Sequence, residues 1–151
     1  MAKLRPRPAP LALSIALSLI VGGISLWGPL AASRAAAPDH PLVARAFEDL
    51  GTYQGECWPW VRQVVADSLG VRMGFDYRQG FFDAGAVEVH LAEAAPGDVI
   101  QLADDSYTNP DADYPGLHTA IIVSVEGPGT FEVIDSNSQW DGIVRTRSGY
   151  D

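Results

Sequence analysis

The sequence predicts an α+β protein in which helices come first and an antiparallel sheet follows. Two observations support this class. Apolar residues recur at helical spacing between positions 39 and 70, and short apolar runs bounded by glycine and proline turns follow position 96. Helices gathered before the strands are typical of α+β proteins, because strands that are consecutive in the chain pair as hairpins.

The N-terminal segment predicts an export signal over residues 1–35. A basic start at residues 3–7 precedes an apolar run at 11–21, and small residues close the segment around Ala35. Cleavage after Ala35 leaves 116 of the 151 residues, which is enough for the single domain that we expect at 36–151. An uncleaved membrane anchor is the alternative, since the apolar run approaches the ~20 residues of a spanning helix. We therefore expect a secreted, periplasmic or cell-envelope protein, held at the membrane if the signal is retained.

The charge balance argues against one class of partner. The net charge is −9, every acidic residue follows position 35, and the only lysine, Lys3, precedes it. Such an acidic surface is unsuited to binding nucleic acid through a charge footprint, so no nucleic-acid partner is expected. The sequence makes no prediction about oligomeric state.

Two helices are predicted before position 71. Asp39 is a candidate cap for a first helix that reaches Leu50. A second helix is predicted from about Trp58 to Leu69, with Gly70 as its end. Cys57 is in phase with the apolar stripe of this second helix, so we expect its thiol at the start of the buried side.

Residues 71–95 allow no clear assignment, because glycines interrupt their apolar pattern. Strands are predicted after that, and the turn Gly127-Pro128-Gly129 predicts a hairpin between the second and third of them. The last strand is expected at the sheet edge. The four predicted strands are 99–102, 118–125, 130–135 and 141–147.

Cys57 is the only cysteine, so an exported chain has no partner for an internal disulfide. Three interpretations remain: a small buried hydrophobe, an intermolecular bridge or a nucleophile. A nucleophilic cysteine must be a thiolate, and the free N–H groups and dipole of a helix N-terminus stabilise that charge. The position of Cys57 therefore suits a nucleophile, although it also suits a buried residue.

A cysteine nucleophile needs a base, and three histidines are available. His40 and His90 are better explained as capping or surface residues, whereas His118 opens the strongest predicted strand. The hairpin brings the end of the following strand back beside His118, so Asp135 or Asn137 should lie near its ring. An acceptor there would orient the imidazole toward the thiol, although residues 135–138 are equally typical of a turn.

Four segments in this order resemble the CHAP domain, a family of cysteine- and histidine-dependent amidohydrolases or peptidases. They are Gly-Glu-Cys-Trp-Pro-Trp-Val around Cys57, Pro-Gly-Asp-Val-Ile at 96–100, His-Thr-Ala-Ile-Ile-Val from His118, and Ile-Asp-Ser-Asn at 134–137. The resemblance covers roughly residues 50–147. It implies a papain-like fold of the CHAP or NlpC type, with N-terminal helices packed on a small antiparallel sheet.

The resemblance also implies residue roles: Cys57 as nucleophile, His118 as base, Asp135 as the residue that orients it, and Asn137 as an additional polar position. The chain departs from the family at two of its positions. Glu56 stands where the family usually has Gln or Asn, and an inward carboxylate would disfavour the thiolate. Asp135 stands where Glu is more common, and it is one methylene shorter. For the oxyanion we expect the backbone N–H of Cys57, with the Gln54 amide as a speculative second donor.

No cofactor or metal is expected. The acidic loop supplies oxygen ligands of the kind that calcium prefers, and some CHAP domains bind calcium, but its spacing is not that of an EF-hand and a solvated loop is favoured. A substrate-gating rim is another interpretation of the loop. The residues concerned are Asp104, Asp105, Asn109, Asp111 and Asp113.

The resemblance predicts an exported peptidoglycan hydrolase that cleaves amide bonds, either as an N-acetylmuramoyl-alanine amidase or as a peptide endopeptidase. The expected partner is peptidoglycan or a peptide substrate. One alternative is a catalytically weak or inactive papain-like module that binds cell wall or a protein partner. A second is the related NlpC-type peptidase family, but the chain lacks the Asp-Cys-Ser-Gly start that is usual there.

Overall fold

The structure, a computed structural model, describes residues 2–5, 39–103 and 116–150. Its helices are α1 (Pro41–Glu48), α2 (Cys57–Leu69) and α3 (Gln79–Asp83), with a 3-10 turn at Leu91–Glu93. Its strands are β1 (Ala2–Arg5), β2 (Val87–Val89), β3 (Val99–Ala103), β4 (Leu117–Gly127), β5 (Thr130–Ser136) and β6 (Val144–Tyr150). The predicted α+β class is confirmed.

The strands form one antiparallel sheet in the order β2-β1-β3-β4-β5-β6. The predicted hairpin is confirmed, because β4 ends at Gly127 and β5 begins at Thr130. The start of the last strand was predicted three residues too early. Asn137 and Gly142 close a turn, in which the Gly142 N–H donates to the Asn137 side chain at 2.8 Å, and β6 begins only at Val144.

Two expectations concern residues that the structure does not describe. The apolar run of the predicted export signal and the acidic loop from Asp104 to Asp113 both lie outside the described ranges. The strand β1 comes from the basic start of the signal segment and pairs with β2 and β3. In the described part of the chain, no helix has the length and hydropathy of a membrane span.

The core has two parts, one on each face of the sheet. On one face, side chains such as Ile121 and Ile134 pack with α1 and α2. On the other face, Ile122 and Phe131 belong to a smaller cluster with the 3-10 turn against it. Each fully buried side chain of this size contributes about 1.5–3 kcal/mol by leaving water, so both faces hold the strands in register.

The helix ends follow local chemistry. Gly70 ends α2 in the left-handed conformation (φ 68°), as predicted. The cap of α1 is His40 rather than Asp39, because the ring Nδ1 of His40 accepts the N–H of Leu42 at 3.3 Å. The helix α1 ends at Glu48, two residues before the predicted end at Leu50, and Leu50 is 44% exposed.

Candidate active site

Cys57 is the first residue of α2, and it is only 3% exposed. The residue before it, Glu56, has extended backbone and makes no side-chain cap to the helix. The first N–H groups of an α-helix have no intrahelical partner, and they surround the start of α2 where the thiol lies. The helix therefore presents Cys57 where a negative charge is stabilised, on the buried side that the sequence predicted.

His118 lies between Cys57 and Asp135. Its Nε2 is 3.0 Å from the Asp135 Oδ2, and Cys57 is near enough to be among the groups that raise the pKa of the ring. The register explains the first contact, since Ile121 pairs with Ile134 and the end of β5 thus returns beside the start of β4. The prediction that Asp135 lies near His118 is confirmed. Because Nε2 faces the carboxylate, Nδ1 is the nitrogen left for the thiol.

The electrostatics of this group favour a charged imidazole. Burial by itself lowers the pKa of His118, but hydrogen bonds to Asp135 and Cys57 and the charges on both outweigh it and raise the pKa to about 9. Burial by itself raises the pKa of Asp135, yet His118 and Arg147 reverse this and lower it. Asp135 has no exposed side-chain surface and is held as a carboxylate by its two cationic neighbours.

Arg147 on β6 is a site residue that the sequence analysis missed. Its Nε donates to the Asp135 Oδ2 at 2.8 Å, its Nη2 donates to the same oxygen, and its guanidinium lies 4.8 Å above the ring of Tyr150. Arg145 pairs directly opposite Asp135 in the sheet but bonds Asp141 instead. Alternating arginines on the last strand were a visible signal, but their relation to Asp135 depends on a register that the sequence does not state.

Tyr77 is a second residue that was missed, because it lies in the unassigned stretch 71–95. Its hydroxyl donates to the backbone carbonyl of His118 and accepts from the Thr119 hydroxyl at 3.0 Å. Its ring packs edge-on against Trp58, the residue after Cys57, at 5.6 Å between centroids. Tyr77 thereby ties the start of α2 to the start of β4.

Asn137 is not placed at His118. It lies one residue beyond β5 with φ 65°, a left-handed conformation that Asn tolerates, so it does not continue the strand beside His118. Its Nδ2 donates to the Glu56 carboxylate at 3.0 Å, and its Oδ1 accepts the N–H of Gly142. Asn137 therefore holds the side chain of Glu56 and the turn before β6.

The segment before Cys57 is bound to that same turn. Gln54 and Gly55 both donate their N–H groups to the carbonyl of Gly142, and the Ser136 hydroxyl donates to the Gly55 carbonyl at 2.6 Å. The Gln54 side chain donates to the Thr52 hydroxyl at 3.0 Å. The side-chain amide of Gln54, the expected second oxyanion donor, is therefore bonded to its neighbour Thr52. The backbone N–H of Cys57 remains the expected oxyanion donor.

The described residues contain no group of three or more His, Cys, Asp or Glu side chains arranged to hold a metal ion. A cavity of about 530 Å³ lies beside α2, lined by residues that include Arg62, Gln63 and Arg72, but neither Cys57 nor His118 lines it. The residues of the candidate site lie instead at the start of α2, the start of β4, the end of β5 and the middle of β6.

Comparison with known proteins found no match to this chain. No family model, no curated protein and no solved structure matches the chain. Cys57, His118 and Asp135 bring a thiol, an imidazole and a carboxylate to one place in the described structure.

Proposed function

We propose that the protein is an exported peptidoglycan hydrolase that cleaves amide bonds through a cysteine nucleophile. The observation that carries the proposal is the His118 ring, whose Nε2 is 3.0 Å from the Asp135 carboxylate and whose pKa is raised by Cys57 as well as by Asp135. The peptidoglycan substrate and the export rest on the CHAP resemblance and on the predicted signal segment.

In this mechanism the proton shared by the pair already lies on His118 Nδ1, in line with the raised pKa of His118, and the Cys57 sulfur attacks the amide carbonyl carbon as a thiolate. The negative oxygen that forms is stabilised by the backbone N–H of Cys57. The C–N bond then breaks as His118 gives its proton to the leaving amine. Water, deprotonated by His118, hydrolyses the thioester and restores the thiol.

The finer fold assignment, a papain-like fold of the CHAP type, belongs to the same proposal. A helix that begins at the nucleophile and packs on an antiparallel sheet whose strands carry the histidine and its acceptor supports it. Asp135 reaches His118 despite being shorter than Glu, so this departure from the family leaves the dyad intact. The other departure from the family is Glu56, whose carboxylate accepts a hydrogen bond from the Asn137 side chain.

One observation favours a second candidate, a papain-like module that binds cell wall or a protein partner with weak or no turnover. Cys57 is only 3% exposed, whereas a nucleophile must contact its substrate. The two candidate functions use the same site residues. They differ in whether a substrate can contact the Cys57 thiol.

The decisive experiment measures new amino groups released from purified peptidoglycan by the purified full-length protein at pH 7. We expect release by the wild type and a loss of several orders of magnitude in Cys57→Ala and Cys57→Ser, because each removes the thiolate. Far-UV circular dichroism verifies that both variants fold. Mass spectrometry of the fragments separates amidase from endopeptidase.

Equal release of amino groups by the wild type and both variants would reject the proposed hydrolase. If the wild type releases no amino groups but still sediments with peptidoglycan, the binding module is supported instead.

A further inference from the structure

Arg147 and His118 converge on one oxygen of Asp135. The His118 Nε2 lies 3.0 Å from Oδ2, and the Nε and Nη2 of Arg147 donate to the same Oδ2. The other oxygen, Oδ1, is buried and has no hydrogen-bond partner among the described residues. The two cationic groups therefore compete for the same lone pairs while a second acceptor is left unused.

The two groups are also close to each other. The Arg147 Nη2 lies 3.4 Å from the His118 Nε2. When His118 is protonated at Nε2 it donates to Asp135, and its contact with the Arg147 guanidinium is then one between two like charges. A guanidinium is always protonated, and so only His118 can relieve this repulsion, by losing its proton.

Other groups face His118 from each neighbouring element. The Cys57 thiol comes from α2, the Asp135 carboxylate from β5, and the Tyr77 hydroxyl from the segment before α3 bonds the His118 carbonyl. On β6, Tyr150 packs under the guanidinium of Arg147. Among these groups, Arg147 is the one that carries a permanent positive charge.

We propose that Arg147 is a positioning residue that weakens the hold of Asp135 on the protonated His118, so that the imidazolium gives its proton to the leaving amine. The role in proton delivery rests on the proposed function. The electrostatic effect on His118 exists whether or not the protein turns over a substrate.

The direction of this effect matches the needs of a general acid. Burial lowers the pKa of His118, yet Asp135 and Cys57 raise it to about 9, above the neutral range in which a general acid transfers protons best. Arg147 opposes any further rise. Its side chain is 36% exposed, so solvent screening places its effect at the low end of the range for a neighbouring charge.

The test is an NMR titration of the His118 ring in the Cys57→Ala background, which removes the coupled thiol. Arg147→Met keeps the aliphatic stem over Tyr150 and removes the charge, and we expect it to raise the pKa of His118 by about 1. Arg147→Lys retains the charge and should leave the pKa near that of the parent. Arg145→Gln is the matched control, because Arg145 lies on the same strand and bonds Asp141.

A purely structural role predicts the opposite result. If Arg147 only anchors Asp135, its loss releases the carboxylate from His118, and the pKa of His118 falls in Arg147→Met and also in Arg147→Lys. A fall or an unchanged value in Arg147→Met would overturn the proposal. Should that variant not fold, a fall in Arg147→Lys would overturn it equally.

The titration tests the role of Arg147, and the activity assay tests the proposed hydrolase, so either proposal can be rejected without the other. In the presence of Cys57, Arg147→Met should also move the alkaline limb of the pH–rate profile upward by a similar amount. Absence of turnover in the wild type would reject the proposed hydrolase but would leave the titration result intact. Turnover with a lowered His118 pKa in Arg147→Met would reject the role of Arg147 alone.

Discussion

Two histidines lie at opposite ends of β3, each near its own buried aspartate. The pKa of one histidine is raised and that of the other is lowered. His118 contacts Asp135 beside the end of β3, and its pKa is raised to about 9. His40 packs against the turn that begins β3, near Asp98, and its pKa is lowered. The difference shows that an aspartate nearby does not by itself make a histidine basic.

The hydrogen bonds explain the difference. Burial lowers the pKa of both residues. The pKa of His118 is raised by its hydrogen bond to Asp135 and by Cys57. The pKa of His40 is raised only by the charge of Asp98, which is too small an effect to offset its burial. In addition, the Nδ1 of His40 accepts the Leu42 N–H, a role that only an unprotonated nitrogen can fill. One histidine is built to carry a proton, and the other is built to cap a helix.

Replacing each histidine by alanine tests this comparison most strongly. His118→Ala should reduce amide hydrolysis by about 10²–10⁴-fold, because the base and acid of both half-reactions is lost. His40→Ala should leave hydrolysis near the wild-type rate and cost about 1 kcal/mol of unfolding free energy, the usual value of an N-cap. Initial rates and urea titrations measure the two effects; comparable activity loss in both variants would contradict the separation of roles.

Replacing each aspartate by asparagine has the next largest expected effect. In the Cys57→Ala background, Asp135→Asn should lower the pKa of His118 by about 1–3, because the ring loses its charged acceptor. Asp98→Asn should leave His118 unchanged and lower the pKa of His40 slightly further, because only a charge is lost there. NMR titration of the two rings gives both values, and a His118 that responds to Asp98→Asn would break the comparison.

The smallest expected effect is on the pH dependence of stability, where the two histidines have opposite signs. The raised pKa of His118 contributes stability that is full below about 6.5 and is lost as the pH rises through about 9, on the order of 3 kcal/mol at most. The lowered pKa of His40 contributes stability that is present above about 6.5 and is lost as the pH falls through its folded value.

Urea unfolding from pH 5 to pH 10 measures both contributions. His118→Ala should flatten the alkaline decline, and His40→Ala should flatten the acid decline. A decline that is unchanged in His118→Ala would show that the raised pKa belongs to another group.

Much of the fold could be predicted because its signals are local. The start of α2 near Cys57, its end at Gly70 and the hairpin turn at Gly127-Pro128-Gly129 each depend on residues that are close in sequence. The failures were also local in origin. Asn137 was one of two residues expected near His118, but it has a left-handed backbone and its side chain binds Glu56.

The part of the site that could not be predicted depends on contacts between distant segments. Tyr77 bonds the His118 carbonyl across 41 positions, and Arg147 reaches Asp135 from the neighbouring strand across 12. No short pattern around either residue indicates these contacts, because they depend on strand register and on how the segment before α3 lies against the sheet.

The sequence by itself determined the α+β class, the placement of Cys57 at the start of a helix, and the return of residues 135–137 beside His118 through a hairpin. These follow from periodicity and turn chemistry, which act over a few residues. Only the tertiary structure decided that Asn137 binds Glu56 and that Arg147 shares Asp135 with His118. The physical reason is that the charge balance at a buried histidine depends on every group within a few ångströms, whatever its distance along the chain.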